Sequence, residues 1–117
     1  MSTSKTINKV KSSTDCWVVT WESLAANETG DANEMPGSSD RSVTISGTLS
    51  GATVIVEGSN NGTDYFTLTD PQGNPISFTS TKLKAISEIT AFTRPRINGG
   101  DGLTNVRIDI CIKGQTF

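Results

Sequence analysis

The sequence predicts an all-β fold: a single antiparallel β-sandwich, jelly-roll or immunoglobulin-like, with an extended N-terminal arm. Three observations carry this expectation. Seven or so short segments alternate apolar with polar residues, the period of a half-buried strand. Clusters of Gly, Asn, Asp and Pro separate them as turns. No long amphipathic helix is written anywhere in the chain. Its 117 residues suffice for one domain with its own core. That domain is expected over 15–117, behind an arm over 1–14.

The arm, Met1 to Thr14, is Ser/Thr/Lys-rich, with Ile7 and Val10 as its apolar members. Alone it is expected to be disordered. No hydrophobic stretch follows Lys5, Lys9 and Lys11, so no secretory signal is read there. Asp15 to Glu22 reads as the first strand, with Trp17, Val19 and Trp21 on one face and Cys16, Val18 and Thr20 on the other. Both faces are fairly apolar, as for a strand covered on two sides. Tryptophans at alternate positions point to core rather than to a ligand platform. Ser23 to Asp40 follows as a long loop holding Gly30, Pro36 and Gly37, with the acids Glu28, Asp31, Glu34 and Asp40. Loops of that length are usually functional or interfacial.

Ser42 to Gly73 reads as a β-meander. Val43, Ile45, Gly47 and Leu49 share one side. A two-residue turn at Ser50 and Gly51 sets Ala52 opposite Leu49, Val54 opposite Gly47 and Val56 opposite Ile45, with every apolar residue on one face. For the next turn, a three-residue loop Asn60–Gly62 places Phe66 opposite Val56 and Leu68 opposite Val54, both inward. The Asn61-Gly62 alternative would mix the faces. Thr69 to Pro75 is a turn cluster, and Ile76 to Phe78 begins another short strand. Thr79 to Glu88 is ambiguous between helical and strand spacing and is read as a turn of helix or an irregular crossover. Ile89 to Ile97 reads as a strand in which Pro95 removes a ladder donor, the mark of a sheet edge or strand end. Asn98 to Gly102 is a turn. Asn105 to Lys113 alternates cleanly, with Val106, Ile108, Ile110 and Ile112 inward.

Composition excludes more function than it indicates. A net charge of −2 gives no electrostatic case for nucleic acid, and no apolar run is long enough for a membrane span. The chain contains no histidine, which removes serine triads, Cys-His dyads and the commonest general base. Its two cysteines, Cys16 and Cys111, fit no zinc spacing. They are read as half-buried thiols, or as a pair should the first and last strands be neighbours. The acids of the long loop do not match an EF-hand. Asp64, Asp70, Asp101 and Asp109 are the carboxylates near turns, where capping of local backbone is reason enough for them. Gly99 to Gly102 lacks the lysine and helix of a phosphate loop. No enzyme, metal or cofactor is expected.

Three stretches together resemble the small β-sandwich virion proteins of short-tailed bacteriophages. They are Thr20–Glu22 with Gly30-Asp31 and Ser39–Val43; Val54 to Gly73, around Glu57–Tyr65; and Arg94-Pro95 with Gly99–Gly102. The resemblance spans roughly residues 18 to 113. It implies a head decoration or cement protein: a homo-oligomer, dimer or trimer, that binds the phage major capsid protein outside the head. Such a protein is made in the host cytoplasm and needs no active site. Lys5, Lys9 and Lys11 on the arm, Glu28, Asp31 and Glu34 on the loop, and Arg94 and Arg96 would then be capsid or subunit contacts. Solubility on an edge strand is an equal reason for those arginines.

A second resemblance, of Gly58 to Tyr65 to hairpin turns of galactose-binding-like sandwiches, implies a carbohydrate-binding module with Tyr65 facing the sugar. A tail or head–tail connector component is a third possibility.

Overall fold

Alternation sorts the chain into two layers with one core between them. Val19 and Trp21, Val43 and Ile45, and Val106, Ile108 and Ile110 meet Val54, Val56 and Ile97 in a single apolar cluster, each of them almost fully buried. The computed structural model that shows this describes residues 8–13, 16–34, 40–88 and 90–113. Its strands are β1 (Asn8–Ser13), β2 (Cys16–Leu24), β3 (Asn33–Glu34), β4 (Asp40–Thr48), β5 (Ala52–Ser59), β6 (Phe66–Thr67), β7 (Ser77–Phe78), β8 (Lys82–Ile86), β9 (Phe92–Gly99) and β10 (Asn105–Lys113). No helix occurs among the described residues.

One sheet runs β1-β2-β10-β4-β8, and the other β3-β9-β5-β6 with β7 also on β5. All pairings are antiparallel. Two antiparallel sheets sharing a core are compatible with a β-sandwich. The expected closing strand is β10, placed at the centre of its sheet between β2 and β4. The first strand is β2, and Trp21 is wholly buried. Asn8–Ser13 pairs with β2, so part of the polar N-terminal stretch is an edge strand of the sheet.

The meander is corrected. β4 and β5 do not pair at all, because they belong to opposite sheets. The turn itself is as read: Ser50 and Gly51 both have positive φ (48° and 84°), and the Ala52 N–H donates to the Leu49 carbonyl at 3.0 Å. Beyond it the strands splay apart. A one-sided apolar pattern is satisfied equally by a hairpin on one sheet or by an arch between two facing sheets, so the pattern alone could not choose. Gly47, at φ 96°, marks where β4 departs from regular strand geometry; a β-carbon there would collide with the Asn105 carbonyl of β10.

Two further readings change. Thr79 to Glu88 contains the edge strand β8, with Leu83 and Ala85 exposed and Ile86 buried, rather than a helical turn. Pro95 is not on an edge strand, since β9 lies between β5 and β3. The ring is accommodated because its missing N–H falls on the side of residues 28–34, where pairing is irregular: Gly30 N–H donates to the Pro95 carbonyl (2.9 Å), and Ile97 N–H to the Glu28 carbonyl (2.7 Å).

Arg41 ties the layers together. It is buried on β4, and its Nη1 donates to Thr93 Oγ1 of β9 (2.7 Å) while Nη2 donates to the Thr90 carbonyl (2.8 Å). Burial lowers its pKa from the usual guanidinium value. The two cysteine strands are indeed neighbours, but Cys111, opposite Val18, is a free and half-buried thiol.

Candidate interaction surface

Outward-facing residues of β5 and β9 are set by the same alternation that fills the core. Val54, Val56 and Gly58 point in, so Ile55, Glu57 and Ser59 point out; on β9, Arg94 and Arg96 share that outer face. Glu57 lies directly opposite Arg94, with Arg96 on the diagonal. Each arginine donates through Nε to a different carboxylate oxygen: Arg94 to Oε1 at 3.1 Å and Arg96 to Oε2 at 3.0 Å. Glu57 is only 7% exposed, whereas the arginine side chains are 30% and 36% exposed. One buried carboxylate therefore orients two guanidinium groups. Their Nη groups make no hydrogen bond to the described residues.

Tyr65 belongs to this cluster. The Arg94 guanidinium stacks on its ring at 3.7 Å from the centroid, so one face of the half-buried ring is already occupied. Tyr65, expected to face a sugar, thus carries Arg94 on one face of its ring. Its neighbour Phe66 is the large exposed aromatic among the described residues, at 72%. The cause is register: Phe66 pairs with Gly58, not Val56, behind a longer loop over 60–65. Leu68 is buried as expected, but a two-residue slide carries Phe66 past the end of the core. Asn61 holds the loop: its Oδ1 accepts from Thr63 N–H, Asp64 N–H and Ser59 Oγ, each at 2.9 Å.

The long loop runs beside the arginines. Thr29 bridges to Arg96, and β3 pairs Asn33 with Thr93 and Glu34 with Phe92. Trp21 Nε1 anchors the loop by donating to the Asp31 carbonyl at 2.9 Å, and Glu28 Oε1 caps Ala25 N–H at 2.6 Å. The structure thus runs the backbone of the stretch that carries Glu28, Asp31 and Glu34 beside β9, the strand of Arg94 and Arg96. It does not bring Lys9 and Lys11 there, because they sit on β1 of the other sheet. Lys5 lies outside the described residues. Glu57 escaped the sequence reading, because its place opposite Arg94 depends on the register of β5 against β9.

The carboxylates expected near turns have partners of their own, although Asp109 lies in mid-strand on β10 and not at a turn. Asp70 accepts from Gln72 and Asn74 N–H (3.0 Å each) and pairs with Lys84 at 3.5 Å. Asp101 accepts from Ser50 Oγ and from Leu103 N–H, which together hold its carboxyl below the usual range. Asp109 accepts from Thr20 Oγ1 and from Arg107. No three His, Cys, Asp or Glu side chains among the described residues are grouped to hold a metal ion. Comparison with family models, with curated proteins and with solved structures returns no match.

Proposed function

We propose that this chain is a structural virion protein of a short-tailed bacteriophage, a decoration (cement) protein of the head. In this reading it binds the major capsid protein from outside, bridges neighbouring subunits as a homo-oligomer and performs no catalysis. It is made in the host cytoplasm and ends on the capsid surface. Its sandwich would be of the jelly-roll or immunoglobulin-like kind.

The observation that supports this reading best is the Arg94–Glu57–Arg96 arrangement. Guanidinium groups fixed through Nε present their Nη edges without the entropy loss that a free arginine suffers on docking. Such edges suit carboxylates on a partner protein, in bidentate pairs. The resemblance of the sequence to small phage virion proteins supplies the partner.

The test is co-sedimentation with undecorated, expanded heads of its phage. Saturable binding at a fixed ratio to the capsid protein is expected, weakening with salt and lost in an Arg94→Glu/Arg96→Glu variant that keeps the wild-type circular dichroism. Deleting residues 1–7, which leaves β1 in place, tests the part of the arm that carries Lys5. Wild-type protein left in the supernatant would sink the decoration reading, and a tail component would move ahead.

A further inference from the structure

An open cleft of about 520 Å³ lies at the end of the second sheet, beside the slipped Phe66. Its floor is Gly58, Leu68 and Thr90; its rim carries Asn60, Asp64, Phe66 and Glu88. Gly58 lets Thr90 and Leu68 close over the strand as that floor, since a β-carbon there would stand 2.5 Å from Thr90 Oγ1 and 2.7 Å from Leu68 Cδ2.

The rim groups are oriented, each with capacity left over. Asn60 Oδ1 accepts from Ala91 N–H at 3.1 Å, and its Nδ2 has no partner among the described residues. Asp64 accepts from Asn61 Nδ2 on Oδ2 at 2.9 Å, and Oδ1 has no such partner. Glu88 is clamped by the N–H and hydroxyl of Thr69, one on each oxygen, and each oxygen retains a lone pair. The cleft therefore offers a fixed amide donor, fixed carboxylate acceptors and an aromatic ring exposed over most of its surface.

We propose that this cleft binds a pyranose sugar, with Phe66 stacking on the apolar face of the ring and Asn60, Asp64 and Glu88 engaging its hydroxyls. A hydroxyl both donates and accepts, so a rim of mixed donors and acceptors matches it. An organic cation would use the acceptors and leave the Asn60 amide idle. A mostly apolar recess with a few convergent polar groups is the usual form of a small-ligand site. The inference does not rest on the decoration reading and uses none of its arginines.

The experiment is amide NMR on the ¹⁵N-labelled full chain, titrated with methyl glycosides of glucose, galactose, mannose and N-acetylglucosamine. At least one is expected to give saturable shifts over residues 60–68 and 88–90, with Kd on the order of 1 mM for a single ring. Phe66→Ala, at an exposed position, is expected to weaken it about tenfold, and Phe66→Trp to retain it. Absence of shifts with all four sugars overturns the proposal. So does unchanged affinity in Phe66→Ala, or tetramethylammonium shifting these amides when no sugar does. Loss of head binding in Phe66→Ala with no sugar response would likewise overturn it, marking the ring as a protein contact.

Discussion

Glu57 holds two arginines with one carboxylate, and removing it leaves two like charges side by side. Glu57→Ala is expected to lower stability by about 1–2 kcal/mol, the low end for a buried partner because the arginines are a third exposed. Urea unfolding measures this, and a variant as stable as wild type would show that Glu57 serves orientation alone. Asp70 responds to pH. Its pKa is lowered chiefly by the Asn74 N–H, with help from Gln72 and Lys84, against a desolvation that raises it. A folded pKa below the unfolded one means that the unfolded chain binds more protons in acid. The stabilisation is therefore complete above the ordinary carboxylate pKa and is lost as pH falls through the lowered value. Unfolding midpoints measured from about pH 6 to about pH 2 should fall less steeply in Asp70→Asn than in wild type. Equal slopes would remove Asp70 from the acid response.

The long loop is held by backbone bonds to β9 and by one side chain from the core, Trp21. Trp21→Phe removes the hydrogen bond to the Asp31 carbonyl and leaves a void against Gly30, where the backbone packs so close that a β-carbon would stand 2.5 Å from the indole. A loss of about 2–3 kcal/mol is expected, with proteolysis at residues 25–34 rising more than global unfolding explains. If cleavage and unfolding rise together, the tether is not local. Elements whose faces differ sharply were legible in the sequence: β10 alternates Val106, Ile108 and Ile110 with Arg107 and Asp109, and only one placement buries the isoleucines. The β4–β5 connection was not legible, because facing sheets and paired strands demand the same residues on the same side. β8 was obscured because Ile86 is its one buried apolar residue. The arginine pair was found as separate charges; its organiser on the facing strand required the register of β5 and β9. The cleft could not be read at all, since it depends on a slide by two residues that preserves inside and outside.

At the scale of the molecule, sheet pairing is dominated by strands far apart in sequence, β2 with β10 and β4 with β10 among them. Refolding from urea is expected on a roughly millisecond-to-second timescale, as for other β-rich folds of non-local topology. Microsecond refolding would contradict it. The central position of β10 has a consequence for how the protein is made. On the ribosome β2 and β4 emerge early, yet the strand that lies between them is translated last of the ten. Until Asn105–Lys113 clears the exit tunnel, the first sheet consists of two halves with unpaired edges facing a gap. Completion of the first sheet must therefore wait for that segment, whereas the second sheet, β3-β9-β5-β6, contains no part of it. A chain stopped before β10 leaves β2 and β4 without the partner between them and is expected to be cut by proteases faster than the full chain.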